Sequence, residues 1–408
     1  MTAQSAVTDQ FGSGRPTVSA ASRLRTTDDF DRDVWSVLGV PVDNLQPSEA
    51  LSAIERAARD GERLSFVTPN VNFLVRASRS MDERMRIINA DLSLVDGAPL
   101  VVIARMLGMR SLVRCAGSDL FDALRKRPAF TGRRIRVFFF GGRDGAAEAA
   151  ANAIETEGRG LQSSGWLNPG YGDIDAISAP GIIEEINAAN PDFLVVALGA
   201  SKGQAWIDKN LSKLNAKVIA HLGAVVDFTA GSIARAPALL RRTGFEWAWR
   251  ILAEPSLWSR YWSDGVSLLG IVALRLIPAM SGGSRIGQRA AAQLTAEPDR
   301  IRIKLSGDLR ADDLGAIRQA FRVASGASGD IELDFSSVGS IDAAFLGQVL
   351  MLEKAASARG ASILTAGAGS SIRRQFRAHL LNFREVAVVA ANGGETGETR
   401  IAATNQSA

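Results

Sequence analysis

Carboxylates are the side chains in this sequence best suited to acid–base chemistry. The 408 residues include only two histidines, His221 and His379, and one cysteine, Cys115. A Cys/His zinc site needs about four such ligands and a disulfide needs a pair of cysteines, so both are excluded within one chain. The two histidines lie far apart in sequence, which disfavours a histidine-based triad. If the protein is an enzyme, we therefore expect its base to be an aspartate or a glutamate.

Asp96 is the first candidate for that base. It lies in SLVDGAPL, between a predicted strand and a glycine, where a partly desolvated carboxylate can accept a proton from a substrate hydroxyl. The simpler interpretation is that Asp96 caps a helix or shapes a turn. The segment TPNVN adds Thr68, Asn70 and Asn72 near another predicted strand end, although asparagines are also common turn formers.

Two weaker patterns are compatible with phosphate or metal binding. Gly141 and Gly142 in FFFGGRDGAAE follow a buried strand, where backbone N–H groups can approach a phosphate or simply form a tight turn. The D-x-D string 173–175 can bind a metal–nucleotide complex, but such strings often arise by chance. His221 and Cys115 are expected to be buried core residues rather than reactive groups.

The elements that must position these residues form a Rossmann-like α/β pattern. From about residue 31, apolar runs such as LSFVTPN, RIRVFFFGG, PDFLVVALG and KVIAHLGAVVDF alternate with amphipathic stretches. That alternation predicts βαβ units and a parallel sheet, in which ligands bind at the carboxyl ends of the strands. The residues expected to converge there are Thr68, Asp96, Gly141, Gly199 and Asp227.

A basic, tryptophan-rich stretch follows the predicted sheet. Residues 233–289 contain eight arginines and three acids, and four of the seven tryptophans lie between Trp247 and Trp262. The i,i+4 pairs Arg242/Glu246 and Arg250/Glu254 predict helix, which Pro255 should divide in two. Arginine with tryptophan suits a membrane interface or the phosphates of a lipid-linked substrate, whereas an ordinary helical cap is the simpler interpretation.

Composition divides the chain into five parts. Residues 1–30 read as a disordered tail without a signal peptide, and residues 31–262 as the α/β domain, with its basic appendage from about 233. Residues 263–298 form a membrane-proximal segment and linker, of which 266–280 is too short to span a bilayer but can lie on one. Residues 299–390 repeat a strand–helix pattern, and 391–408 read as a second disordered tail. The net charge of +4 is local to 233–289, and no nucleic-acid motif accompanies it, so we expect no nucleic-acid partner.

Several motifs in order resemble the WecG/TagA/CpsF glycosyltransferases (glycosyltransferase family 26) from about Val34 to Tyr261. They include TPNVNFLVRA, INADLSLVDGAPL, RCAGSDLF, FFFGGRDGAAE, LVVALGASKGQAW, GAVVDFTAG and GFEWAWRILAEP. The resemblance implies an inverting enzyme that transfers a sugar from a UDP-sugar to an undecaprenyl-pyrophosphate-linked sugar. It further implies a peripheral protein on the inner, cytoplasmic face of the membrane, no metal and no cofactor beyond the UDP-sugar donor.

The same resemblance assigns roles to individual residues. Asp96 matches the catalytic base, and Arg114 matches a pocket arginine near phosphate. Thr68, Asn70 and Asp227 match substrate-binding residues, and Arg235 and Arg250, with Arg260 as a similar candidate, match an appendage that contacts the lipid pyrophosphate and membrane. Gln204 either takes over a substrate-binding role from one position along or marks a changed donor contact. Apart from the resemblance, their own positions assign Gly141, Gly142 and Gly199 to the phosphate or nucleotide loops and Trp258 and Trp262 to the membrane. The chain departs from the family in LGASKGQAW, where Ser201, Gly203 and Gln204 replace proline, glutamine and glutamate. Ser256 also replaces an arginine.

Residues from about Ile301 to Phe383 resemble a STAS domain (sulfate transporter and anti-sigma factor antagonist), with LDFSSVGSIDAAFLGQVL as the most diagnostic part. Regulatory members carry a phosphorylated Ser or Thr after the aspartate, but here Asp342 is followed by Ala343 and Ala344. We therefore expect a docking or structural role rather than a phosphorylation switch. The alternative function is a degenerate transferase that acts as an interaction protein through this domain and a protein partner.

Overall fold

The computed structural model describes residues 28–127, 133–237, 239–240, 246–280, 286–387 and 399–401. Residues 1–27 of the predicted N-terminal tail, most of residues 388–408 and Arg242 of the Arg242/Glu246 pair lie outside the described residues. Asp28, Asp29 and Phe30 belong to the predicted tail but pack on the protein. The Phe30 side chain is only 3% exposed, because it contacts Phe321 of the second domain edge to face.

The first domain is built on the predicted parallel sheet. Its six strands are β3 (Leu64–Val67), β4 (Leu92–Ser93), β5 (Ile135–Gly141), β6 (Leu161–Leu167), β7 (Phe193–Ala197) and β8 (Val218–His221). They lie in the order β4-β3-β8-β7-β5-β6 and all pair in parallel. Strand β7 is buried along its whole length, as expected where helices cover both faces of a parallel sheet.

Helices connect and cover these strands. They are α1 (Pro47–Asp60), α2 (Val71–Ala77), α3 (Met81–Ile88), α4 (Ala98–Met106), α5 (Gly117–Lys126), α6 (Ala146–Glu157), α7 (Pro180–Ala188), α8 (Ala200–Asn210) and α9 (Gly223–Thr229). Strand β8 ends at His221, so the predicted strand through Asp227 is wrong. Gly223 opens a helix there, and Asp227 lies inside α9 rather than at a strand end.

A two-stranded hairpin precedes the sheet. Strands β1 (Val34–Val37) and β2 (Val40–Asp43) pair antiparallel. Leu38 and Gly39 turn the chain with φ of 53° and 94°, which is the left-handed conformation of a two-residue hairpin turn. A side chain at Gly39 would lie 2.6 Å from the carbonyl oxygen of His379. Only glycine therefore allows the hairpin to approach the second domain this closely.

The basic stretch forms two helices that meet at Pro255, as predicted. The first is α10 (Glu246–Ala253). The second runs from Pro255 to Met280 through α11 (Trp258–Ile271), a π-helical turn over Val272–Leu276 and α12 (Ile277–Met280). Its 26 residues are long and apolar enough to cross a membrane by length and composition alone. Residues 266–280 were expected to be too short to span a bilayer. The helix is longer than that expectation, because it continues N-terminally to Pro255.

The second domain is a mixed sheet with helices on it. The sheet order is β13-β12-β11-β10-β9-β14, with β9 and β14 antiparallel to their neighbours and the others parallel. The strands are β9 (Ala291–Ala296), β10 (Arg300–Leu309), β11 (Asp330–Ile341), β12 (Ile363–Ala366), β13 (Arg384–Glu385) and β14 (Thr399–Ile401), and the helices are α13 (Gly315–Gly326), α14 (Ala343–Ala358) and α15 (Ser370–Ala378).

Two of these strands lie outside the part of the chain that was predicted to form this domain. Strand β9 falls in the predicted linker, and β14 falls in the predicted C-terminal tail. Both are short and lack the strong apolar alternation of a half-buried strand. Strand β9 is held by its register against β10, from Ile301 opposite Ala296 to Ser306 opposite Ala291, and β14 by its pairing with β9.

The two domains share one hydrophobic core. Helix α14 is buried on nearly all sides and packs on β1, where a side chain at Gly347 would lie 1.9 Å from the carbonyl oxygen of Val34. A bidentate ion pair joins Arg84 of α3 to Glu353 of α14, at 3.0 and 2.6 Å. Close backbone approach and a buried ion pair are features of a fixed interface rather than of a flexible linkage.

Candidate active site

A single cleft brings most of the predicted site residues together. Its volume is about 820 Å³, and it opens at the carboxyl ends of β3, β4, β7 and β8, beneath α10 and the Pro255–Met280 helix. Among the predicted residues, those that line it are Thr68, Asn70, Asp96, Arg114, Gly199, Arg250, Trp258, Arg260 and Trp262. The cleft is therefore enclosed by a polar sheet end on one side and a tryptophan-rich wall on the other.

Asp96 does not cap a helix. The residue at the start of α4 is Gly97, whose φ of 96° suits glycine, and Pro99 lies in the first turn. The Asp96 N–H donates to the Pro69 carbonyl at 2.8 Å, which fixes the loop next to TPN. The carboxylate is left to face the cleft, and burial raises its pKa above that of an ordinary aspartate, against the opposing effect of Arg114.

Arg114 holds three carboxylates around one guanidinium group. Nε donates to Asp96 at 3.1 Å, Nη1 to Asp119 at 3.2 Å and Nη2 to Glu246 at 2.8 Å. Glu246 belongs to α10, so this guanidinium links the basic appendage to the predicted base. The charges of Glu246 and Asp119 add to the rise in the Asp96 pKa. The arrangement can keep a carboxylate oriented while favouring its uptake of a proton.

Asn70 has a structural duty as well as a place in the cleft. Its Oδ1 accepts from the backbone N–H groups of Asn72, at 3.0 Å, and Phe73, at 3.4 Å, which makes it the N-cap of α2. Thr68 lies nearby, with its methyl group 3.2 Å from where a side chain at Gly117 would begin. Both the turn-former interpretation and the pocket interpretation of TPNVN therefore describe this loop.

The departure from the family pattern at Gly203 has a structural explanation. A Cβ atom at position 203 would lie 2.1 Å from Cδ2 and 2.6 Å from Nε2 of His221, so the imidazole fills the space of the missing side chain. His221 lines the cleft, and no described residue forms a hydrogen bond with its Nε2, so the expectation of a core histidine with satisfied hydrogen bonds is wrong. Burial, followed by the charge of Arg76, lowers its pKa to about 4, which keeps the ring neutral.

The nucleotide loops are placed less uniformly than expected. Gly199, with φ of 78°, begins the 11-residue helix α8 at the cleft, where N–H groups and the helix dipole favour an anion. Gly141 and Gly142 are not among the lining residues, and the Gly142 N–H already donates to the Ala197 carbonyl at 2.8 Å. Gln204 lies on the buried side of α8, and no described residue forms a hydrogen bond with its Oε1.

Asp227 also lies outside the lining of the cleft. It belongs to α9, one residue before Phe228, which does line the cleft. Burial raises its pKa, against the charges of Arg143 and Arg250, and its Oδ1 accepts no hydrogen bond from the part of the chain that the structure describes. The structure thus brings Asp227 toward the arginines rather than beside Asp96.

The predicted basic residues occupy two different environments. Arg235 contacts Asp119, Asp122 and Ser118 through its terminal nitrogens and lies outside the lining of the cleft. Arg250 and Arg260 line it, stacked 6.0 Å above Phe228 and 5.4 Å above Tyr261. Arg250 also pairs with Glu254 at 3.9 Å, as the i,i+4 spacing predicts. Arg250 and Arg260 are therefore the predicted lipid-side arginines best placed to bind an anion in the cleft.

The remaining sequence candidates have ordinary surroundings. In the D-x-D string, Asp173 accepts from the Ala176 N–H at 2.8 Å, and Asp175 pairs with Lys209. Cys115 is buried, and burial raises its pKa to about 12. Among the described residues, no group of three His, Cys, Asp or Glu side chains could hold a metal ion.

Two cleft residues were missed as site residues by sequence reasoning. Glu246 reaches Arg114, and Asp264, which accepts from Asn72 at 3.1 and 3.3 Å, is only 9% exposed in the wall of the cleft. One signal was available, since Asp264 is the only acid in the 26 residues from Pro255 to Met280. Glu246 offered none, because its role depends on how α10 folds back over the sheet.

The fold and the cleft define the class of protein. A parallel α/β sheet with a cleft carboxylate beside a strand end, an anion-favouring helix start and arginines beneath an apolar helix is a suitable site for transferring a group between phosphate-bearing substrates. The glycosyl transferase WecG/TagA/CpsF family matches residues 35–281, and the chain belongs to that family. It is thus a glycosyltransferase, and a STAS domain (Mlab, STAS domain) matches residues 292–383.

Curated relatives agree with this assignment. An N-acetylglucosaminyldiphosphoundecaprenol N-acetyl-beta-D-mannosaminyltransferase of Bacillus spizizenii is 29% identical over 211 residues, covering 52% of this chain and 79% of the relative. Enzymes of the same name from Bacillus subtilis and Staphylococcus aureus are each 25% identical, covering 55% of this chain and 86% and 85% of the relatives. The similarity spans the first domain and extends through the appendage that covers the cleft.

Proposed function

We propose that this protein transfers a sugar, of the N-acetylmannosamine type, from a UDP-sugar to an undecaprenyl-diphosphate-linked sugar during synthesis of a bacterial surface polysaccharide. The observation that carries the proposal is the Asp96 carboxylate, which faces the cleft with a raised pKa beneath the basic, apolar cover. The names of the relatives support the lipid-linked acceptor and the type of sugar.

The proposed reaction is a single displacement with inversion. Asp96 takes the proton of the attacking acceptor hydroxyl while the new bond forms between that oxygen and the anomeric carbon. The bond between the anomeric carbon and the phosphate oxygen breaks, and UDP leaves with the electron pair from the opposite face. A raised pKa makes Asp96 a better proton acceptor than an ordinary aspartate.

The diphosphates need positive partners in the cleft. For the donor, the start of α8 at Gly199 offers backbone N–H groups, and a fixed dipole there needs no reorganisation as charge develops. For the lipid diphosphate, Arg250 and Arg260 lie at the appendage side. We propose that these groups act without a metal ion or a further cofactor.

Membrane association is proposed to be peripheral, on the cytoplasmic face. One side of the Pro255–Met280 helix packs on the protein through Asp264, Ile271, Leu276 and Ala279, and the Arg79 side chain donates to Ser267 at 2.7 Å. Leu274 and Ile277 are exposed outside the cleft, and Trp258, Trp262, Val266 and Leu269 line the cleft while remaining more than half exposed. A helix held along one side in this way suits an orientation in the plane of the interface.

The alternative, an interaction protein that works through its STAS domain, requires a free docking surface. Helix α14, which follows Asp342, is instead buried against the transferase domain of the same chain. We therefore propose that this domain is a fixed part of the transferase.

The test is product formation from defined substrates. Purified protein is incubated with undecaprenyl-diphosphate-linked N-acetylglucosamine and each of a panel of UDP-sugars. The molecular mass of the lipid product is then measured by mass spectrometry. The expected result is a gain of one N-acetylhexosamine from one donor. Absence of product with every donor, in protein that still binds acceptor-containing vesicles, would contradict the proposal.

A further inference from the structure

Asp264 is an ionisable residue in an unusual place. It is the only acid between Pro255 and Met280, in a helix whose outer side is apolar and exposed. Its side chain points the other way, is only 9% exposed and forms part of the cleft wall. Ionisable groups in such segments are costly and tend to face a polar cavity that uses them.

The hydrogen-bonding capacity of this carboxylate is only partly used. A carboxylate can accept about four hydrogen bonds, and Asn72 supplies one neutral amide nitrogen, at 3.1 and 3.3 Å from the two oxygens. No described lysine, arginine or histidine forms an ion pair with it. Arg260, one turn earlier on the same helix, stacks over Tyr261 instead. A buried carboxylate without a cation needs further donors to offset its desolvation.

The position of Asp264 relative to Asp96 places it on the side of the cleft where a lipid-linked acceptor would lie. Asn72 lies in the first turn of α2, whose cap Asn70 follows Pro69, and the Pro69 carbonyl accepts the Asp96 N–H. Asp264 thus reaches, through one hydrogen bond, the loop that positions the base. It belongs to the helix with the apolar outer side, so it lies where a lipid-linked substrate must enter.

We propose that Asp264 binds the acceptor sugar, accepting hydrogen bonds from its hydroxyl or acetamido N–H groups, and thereby selects which lipid-linked sugar is extended. The inference rests on the proposed function and names the acceptor contact within it. A sugar offers neutral donors that suit a carboxylate. A diphosphate would be repelled by it and is better placed at Arg250, Arg260 or the start of α8.

The experiment compares acceptors that each lack one donor. Undecaprenyl-diphosphate-linked N-acetylglucosamine and analogues that keep the attacking hydroxyl but lack one other hydroxyl or the acetamido N–H are titrated in detergent micelles, and both Kd and kcat/KM are measured. In the unmodified protein, one analogue should be at least about 100-fold worse than the complete acceptor, since a polar site rejects a substrate that leaves it unpaired. In Asp264→Ala this discrimination should fall to about 3-fold or less, with donor KM unchanged.

Two control variants separate sugar binding from simple attachment of the helix. Asn72→Ala removes the bond to Asp264 but keeps the carboxylate, so it should retain the discrimination. Ser267→Ala removes the bond from Arg79 on the same helix, and it should behave as the unmodified protein.

The results distinguish the two proposals. Discrimination in Asp264→Ala equal to that of the unmodified protein would overturn the role of Asp264, as would equal losses in Asp264→Ala and Asn72→Ala for every acceptor. If no acceptor is turned over, the proposed function fails, whereas the Kd series still decides whether Asp264 reads the sugar.

Discussion

At the scale of single residues, the cleft concentrates negative charge next to Asp96, the proposed base. Asp96, Asp119 and Glu246 all contact the guanidinium of Arg114. One cation shared by three carboxylates cannot fully neutralise them, so a proton added to Asp96 relieves repulsion. The same arrangement makes the ionised form of Asp96 unfavourable for folding.

The first prediction concerns Asp96→Asn. Turnover should fall by about 10²–10⁴-fold, since the general base is lost. A folded-state pKa above the unfolded value means that stability from this group is present at low pH and is lost as pH rises through the folded pKa. The variant should therefore be at least as stable as the unmodified protein in urea unfolding at pH 8. Near-normal turnover would remove Asp96 from its role.

The second prediction concerns Glu246→Gln, which removes one negative charge near Asp96. The Asp96 pKa should fall, so the acidic limb of the kcat/KM profile should move to lower pH. Glu254→Gln is the matched control, because Glu254 pairs with Arg143 and Arg250 and not with Arg114. An acidic limb that stays in place in Glu246→Gln, or moves equally in the control, would contradict this coupling.

The limits of sequence reasoning at this scale follow from contact distance along the chain. Asp96, Thr68 and Gly199 were predicted because each follows a strand in a βαβ pattern, and such ends meet at one edge of a sheet. Glu246 lies 132 residues from Arg114, and no local pattern reports that contact. The imidazole of His221 filling the space at Gly203 is likewise visible only after β8 and α8 are packed.

At the scale of elements, the best predictions were the strands with continuous apolar runs and the helix break at a proline. Strands β5 and β7 were recognised from continuous apolar runs, and the division at Pro255 from the proline itself. Strand β9 was missed because its sequence, AAQLTA, is held mainly by pairing with β10. The strand predicted through Asp227 was wrong, because the run AVVDF suits a buried helix as well as a strand.

The third prediction tests the exposed side of the Pro255–Met280 helix. Leu274 and Ile277 are 79% and 61% exposed and do not line the cleft. Replacing both with serine should lower the affinity for anionic vesicles, measured by co-sedimentation, by about 100-fold. The reason is that each aliphatic side chain buried in the membrane contributes roughly 1.5–3 kcal/mol. Turnover of a short-chain, water-soluble acceptor should not change. The control is Val323→Ser, which replaces an exposed side chain of α13 in the second domain. Equal vesicle binding by the double-serine variant and by this control would count against membrane contact by the Pro255–Met280 helix.

At the scale of the whole molecule, the second domain is joined to the first by buried polar groups as well as by apolar packing. Arg84, with 1% of its side chain exposed, pairs with Glu353 and donates to the Gly39 carbonyl. Lys354 is equally buried and donates to the Ala90 carbonyl at 3.1 Å. Groups of this kind are stable only while both domains are in place, so the domains should unfold together.

The fourth prediction tests this coupling through Glu353→Gln. Arg84 would keep a buried charge without its carboxylate, which should lower the free energy of unfolding by about 3 kcal/mol. Urea unfolding followed by circular dichroism and by tryptophan fluorescence should still show one transition. Glu385→Gln breaks an exposed pair with Arg373 and should cost less than about 1 kcal/mol. A loss in Glu353→Gln no larger than in this control would show that the pair does not hold the domains together.

The fifth prediction is that the joined state weakens in mild acid because of His379. This imidazole is buried between the domains, its Nδ1 lies 2.9 Å from the Ser36 hydroxyl, and burial lowers its pKa to about 3. The unfolded chain takes up the proton near pH 6.5, so the stabilisation is complete above that value and is lost as pH falls toward 3. From pH 6.5 to 5 this one group should remove about 2 kcal/mol of unfolding free energy.

His379→Asn keeps a polar group near Ser36 but cannot titrate, so its urea midpoint should fall less over that interval. His221→Asn measures the separate share of the cleft histidine, and equal pH dependence in His379→Asn and the unmodified protein would rule out the interface as the acid-sensitive element.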